Sequence, residues 1–139
     1  MPWLPLLAIA VVLFIGLASL WVGTRDERHR AVCKDHLKQI GLALHQYHER
    51  FGSFPPAYVL GSDGRAWHSW RVLLLPFLGE ESLHREYRFD EPWDGAHNRR
   101  LSSRVPECYR CPADAHKGSS SFLAIVGRRT MWPAYFTVN

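Results

Sequence analysis

The sequence predicts an α+β protein in which a long N-terminal helix precedes a small, mainly antiparallel sheet. Three observations carry this reading. Residues 1–24 hold no charged side chain; residues 25–51 space their apolar positions as a helix does; and short extended segments follow, divided by proline and glycine. Helix first and short strands later is an α+β order. The chain accordingly divides into residues 1–24 and a head of residues 25–139, with 25–51 an amphipathic continuation of the first helix.

The first element, Trp3 to Val22, reads WLPLLAIAVVLFIGLASLWV. About 20 apolar residues at ~1.5 Å each reach roughly 30 Å, the thickness of a hydrocarbon core, so the stretch is expected to be a transmembrane helix. Trp3 and Trp21 stand near its ends as membrane-interface anchors, and Arg25 stops the run. Pro5 falls in the first turn, where its missing N–H is no loss. Ala8, Gly16, Ala18 and Ser19 allow close helix contact. A cleaved signal peptide is the rival, with Gly16, Ala18 and Ser19 near a cleavage point. No basic region precedes the run, however, and it exceeds the length of a usual signal core.

The second element continues the first, since no proline lies between Leu6 and Phe54. Cys33, Leu37, Ile40, Leu44, Tyr47 and Phe51 recur every three or four residues and form one apolar stripe, with charged and polar residues between them. Gly41 beside the stripe invites close approach of another backbone. Gly52 offers a C-terminal stop, which Pro55 and Pro56 enforce.

In the head, Phe54 to Leu60 reads as extended and Ser62, Asp63, Gly64 as a turn. Ser69 is placed to cap a helix starting at Trp70, in which Leu73, Leu74, Phe77 and Leu78 share a face and Pro76 forces a kink or early stop. A short helix is expected over Glu80 to Tyr87 and another over His97 to Ser103, with a loop around Pro92, Asp94 and Gly95. Pro106 begins an extended stretch through Tyr109 and Cys111. Ser120 to Val126, SSFLAIV, is the clearest strand and is expected inside.

The net charge is +4 and the pI about 9.2, but 17 basic and 13 acidic residues alternate along the chain. Only Arg99 with Arg100 and Arg128 with Arg129 pair up. A nucleic-acid partner needs a basic stripe, so none is expected.

Four stretches resemble a known family: RAVCKDHLKQIGLALHQYHERFGSFPPAYV (Arg30 to Val59), HSWRVLLLPFLGEESLHREYRFDEPWDGAHNRRL (His68 to Leu101), YRCPAD (Tyr109 to Asp114) and SFLAIVGRRTMWP (Ser121 to Pro133). They look like the pseudopilin-like proteins of planctomycetes that carry domain of unknown function 1559. The resemblance implies a type IV pilin-like architecture, a long helix half in the membrane and packed on a small sheet, and no assigned activity. Two departures stand out. Met1 to Val22 contains no acidic residue, so the prepilin-type N-terminus is absent, and the chain ends at Asn139, as a short or truncated member.

Cys33, Cys108 and Cys111 are the thiols. Cys33 lies on the stripe and Cys111 in the family-like YRCPAD stretch, so a Cys33–Cys111 disulfide tying helix to head is the hypothesis, with Cys108 left over. The rival is a functional C-x-x-C formed by Cys108 and Cys111, which as a zinc site needs His97 or His116. His45 and His48 lie one turn apart and read as edge residues. Asp90, Glu91 and Asp94 lack the alternation of a calcium loop and read as loop-shaping. Ser69 beside His68 is no triad. No catalytic, cofactor or metal residue is expected.

The basic residues after the apolar run favour a cytoplasmic head, whereas the resemblance and paired cysteines favour the exported side. The exported side is preferred. The expectation is a noncatalytic, single-pass, membrane-anchored, pilin-like protein of the cell envelope, serving structure or a secretion or pilus-type assembly. Its partners are the lipid bilayer and proteins met through helix and head. The alternative is a membrane-tethered ligand- or metal-binding module built on Trp67, Trp70 and Trp93 with His68 and Asp94.

Overall fold

The computed structural model describes the backbone of residues 3–114, 120–127 and 129–132, and their side chains except at 4–8 and 16–22. Helix α1 runs unbroken over Leu4–Phe51, with Pro5 in its first turn. Gly52 ends it in the left-handed region (φ +73°), its N–H donating to the His48 carbonyl at 2.8 Å.

Among the described residues no helix is long and apolar enough to cross a membrane. This overturns the expected transmembrane segment over 1–24. With it go the bilayer as partner, the single-pass cell-membrane location with an exported head, and the membrane-anchored pilin-like envelope role. Trp3 and Arg25 are exposed, and the side chains of Trp21, Ala8, Gly16, Ala18 and Ser19 lie outside the described residues.

The docked half of α1 meets the head on a face turned slightly from the predicted stripe. His36, Ile40, Ala43 and Leu44 are buried, and Cys33 and Tyr47 half-buried, but Leu37 is 52% exposed and Phe51 also faces outward. The reason lies in two ties one helical turn apart. Cys33 is disulfide-bonded to Cys111, and His36 Nδ1–H donates to the Arg110 carbonyl at 2.7 Å. Together they set the helix's rotation. Gly41 is not a contact point, since a Cβ there would meet nothing within 4 Å.

The sheet has two antiparallel strands, β1 (Tyr58–Leu60) and β2 (Ala66–Ser69), pairing Tyr58 with Ser69 and Val59 with His68 before a bulge brings Leu60 opposite Ala66. In the turn between them, Asp63 accepts from Arg65 N at 3.0 Å and from Trp67 Nε1 at 2.9 Å. The Trp67 indole lies so close over Gly61 that a Cβ there would come within 2.0 Å of it.

Ser69 caps α2 (Trp70–Leu73), its Oγ accepting from Arg71 N at 3.3 Å. Pro76 then tightens the chain into a 3-10 turn, Leu75–Leu78, ended by Gly79 at φ +77°. Helices α3 (Glu81–Glu86) and α4 (Asn98–Leu101) follow. The stretch expected to be extended after Pro106 is a second 3-10 turn, Glu107–Tyr109, and α1 packs on these two turns.

The core gathers Ile40, Ala43 and Leu44 of α1 with Trp70, Leu74, Leu75, Leu83, Leu101 and Tyr109. Trp132 closes it, 5.5 Å from Trp70 between ring centres, with its Nε1 donating to the Pro55 carbonyl at 2.8 Å. Trp70 Nε1 is buried without a partner among the described residues, a cost of about 1–3 kcal/mol.

Ser120 to Val126 is not the buried strand expected. Its described pairing is one isolated bridge, Val126 to Trp132, and Leu123 and Ile125 are 83% and 75% exposed while Phe122 and Ala124 pack inward. Among the described residues the two-stranded sheet supplies this segment with no neighbour to cover its outer face.

Candidate functional site: an apolar cavity beside Arg71

A cavity of about 420 Å³ opens where β2, α2, α3 and α4 converge. Its apolar wall is Val72, Leu75, Leu83, Leu101 and Val105, with the rings of Tyr87, Trp93 and Tyr109. The polar lining comes from His68, Ser69, Arg71, Asn98, Ser102, Arg104 and Ser120; no acidic side chain among the described residues belongs to it.

Each wall has a local cause. Asn98 is buried at the start of α4, and its Nδ2 donates to the carbonyls of Arg88, Glu91 and Pro92 at 2.7 to 3.2 Å. Its Oδ1 accepts from Arg88 N at 3.0 Å, and its own N–H donates to Glu91 Oε1 at 2.7 Å. One amide thus shapes the loop of residues 88–95, which carries the exposed Trp93 to the cavity edge. The same bonds give Glu91 of the acidic cluster its role. Glu91 serves the loop backbone, and no group of three or more His, Cys, Asp or Glu among the described residues can hold a metal ion.

The buried His68 accepts at Nδ1 from the Tyr87 hydroxyl, 2.8 Å away, and donates from Nε2 to the Phe89 carbonyl of the same loop at 3.2 Å. Burial holds its pKa below the ordinary imidazole value, against the pull of the Phe89 carbonyl. Tyr87 is pushed up to about 12, by burial first and the Glu91 charge second. Burial thus favours the neutral form of both rings.

Arg71 differs. It is half-buried, its guanidinium lies 4.7 Å over the Trp70 ring, its Nε donates to Ser120 Oγ at 2.9 Å, and one Nη donates to the Phe122 carbonyl. No carboxylate among the described residues pairs with it, and burial lowers its pKa. Arg104, the other arginine of the lining, is paired with Glu86. Tyr109, 2% exposed, locks this corner by donating from its hydroxyl to the Arg71 carbonyl at 2.9 Å. Burial pushes the Tyr109 pKa up.

The expected tethered ligand or metal module does not assemble. Trp70 belongs to the core, Trp67 covers Gly61, and of the named set only Trp93 and His68 line the cavity. His45 and His48 both pack on Phe54, at 5.8 and 4.8 Å between ring centres. His97 donates to the Glu86 carbonyl, and His116 and Arg128 lie outside the described residues. Cys108 is a buried free thiol whose pKa is raised, by burial first and Glu80 second. With Cys111 in the disulfide, the C-x-x-C does not act as a dithiol pair.

Sequence reading missed Arg71 and Asn98. Arg71 sits inside a helical apolar pattern and passes for a solvated charge, and the buried loop amide is invisible without its four carbonyl and amide partners.

No curated protein and no solved structure matches this chain. One family model does, described as "Protein of unknown function (DUF1559)", over residues 25–138. That match begins at the first charge after the apolar run and crosses every element of the head, and on it the chain belongs to the DUF1559 family.

Proposed function

We propose that the head is a noncatalytic binding domain whose cavity takes a small organic ligand with an apolar body. The observation that carries this is the cavity itself. Its 420 Å³ falls in the range of about 300–1,000 Å³ typical of ligand pockets, and its walls are apolar with a few converging polar groups. The state of those groups favours binding over chemistry. The imidazole of the wall has both nitrogens engaged, and burial holds the Tyr87 and Tyr109 hydroxyls in their protonated form.

The test is titration with neutral apolar probes, read by quenching of Trp93 fluorescence and by calorimetry. Saturable one-to-one binding is expected, and loss of it in Ala66→Phe, which places a ring at the exposed cavity edge of β2. Probe binding that Ala66→Phe leaves intact would place the site elsewhere.

A further inference from the structure

We propose that the ligand is a small apolar molecule carrying one carboxylate, and that Arg71 receives that carboxylate. This rests on the cavity being a ligand site and adds its chemical class. A guanidinium has five N–H donors in a planar fork. The Arg71 bonds to Ser120 and Phe122 engage the Nε donor and one Nη donor, which leaves both donors of the other Nη and the second donor of the engaged one to a ligand.

Arg71 is half out of water against the Trp70 face, and the cavity holds no acidic side chain among the described residues. A buried cation without a counter-charge is costly, and an anion entering the cavity relieves that cost. Arg104 is neutralised by Glu86, so among the described residues the cavity offers one uncompensated positive charge. One charge suits a monoanion. A carboxylate matches the planar fork of arginine, whereas a phosphate dianion would bring a second charge into an apolar wall with nothing to meet it.

The Ser69 hydroxyl beside Arg71 completes the receiving group, since the Ser120 hydroxyl already donates to the Phe122 carbonyl. Ser69 Oγ accepts from Arg71 N, and its own O–H remains a donor that a carboxylate oxygen can take. Val72, Leu75 and Leu101 then surround the apolar body. The pull is directional, with charge at the α2 corner and apolar surface beyond.

The experiment compares 1-naphthaleneacetic acid, its methyl ester and 1-naphthylmethylamine on the full chain by calorimetry, at low and high salt. The acid is expected to bind at least about tenfold tighter than the ester and to lose most of that margin at high salt, with the amine weakest. In Arg71→Gln the acid should fall to the affinity of the ester while the ester is unchanged; the ester also reports that the cavity still forms. Arg71→Lys should keep part of the margin, since it retains the charge and loses the fork.

Equal affinity of acid and ester in the wild type overturns the carboxylate assignment and leaves the cavity as a site for neutral ligands. An acid preference that survives Arg71→Gln overturns the role of Arg71. Binding of none of the three overturns this inference and the binding-domain reading together. If Arg71→Gln does not fold, the Arg71→Lys margin and the salt dependence of the wild type decide the question.

Discussion

The docked half of α1 and the segment of residues 120–126 are both rich in apolar residues, and both read from sequence as buried, yet only one of them is. The helix satisfies its own backbone hydrogen bonds, so it can bury a single face against two short turns and leave Leu37 outside. An extended segment has no such self-sufficiency. With no neighbouring strand among the described residues, residues 120–126 are held by Ser121 N donating to the Tyr109 carbonyl at 2.8 Å, by the Arg71 contacts, and by Cys111 N donating to Ser121 Oγ at 2.9 Å. Apolar composition alone does not choose between these outcomes; the source of the backbone partners does.

The largest test of that contrast is Cys33→Ser. The disulfide closes a loop between residues 78 apart, so its loss should cost about 4 kcal/mol, within the usual range of 2–5. Equilibrium denaturation with and without reductant measures it, and a change below about 1 kcal/mol would mean the helix docks by packing alone. His36→Ala comes next. It removes the second tie and leaves the Arg110 carbonyl without that donor, for an expected loss of about 1–3 kcal/mol in the same assay.

Tyr109→Phe probes the turn that holds residues 120–126, because its carbonyl accepts from Ser121 N and its hydroxyl donates to the carbonyl of Arg71, whose side chain binds the same segment. An expected cost of about 1 kcal/mol should be accompanied by faster amide exchange at Arg71 and little change along α1. A change spread evenly over both would show that the two regions unfold as one unit.

The head itself carries a pH signature. The folded pKa of His68 lies below its unfolded value of 6.5, so protons bind more readily to the unfolded chain. Its contribution to stability is full above about 6.5 and is lost as pH falls through the folded value. His68→Gln should flatten that part of a pH–stability curve, and an unchanged slope would exclude His68 as the source.

The smallest effect belongs to the exposed edge. Leu123→Ser and Ile125→Ser should each change stability by no more than about 0.5 kcal/mol, since both side chains are already in water. Phe122→Ser, one position over and packed against the core, should cost several times more.

Local chemistry is legible without any tertiary knowledge. Gly52 as helix stop, Ser69 as cap, the early end forced by Pro76 and the turn at Asp63–Gly64 all follow from backbone rules that act within a few residues. The continuity of α1 and membership of the DUF1559 family belong to the same class, written in periodicity and motif.

Tertiary structure alone decided the rest. It turned the helix so that His36 faces inward in place of Leu37, replaced the expected extension after Pro106 with a 3-10 turn, and set Leu123 and Ile125 in water. It also put Arg71 and Asn98, twenty-seven residues apart in sequence, into the lining of one cavity. The physical reason is the same in each case. Which face is buried, and whether a charge or an amide finds a partner, depends on groups distant along the chain, and no local pattern encodes where those groups arrive.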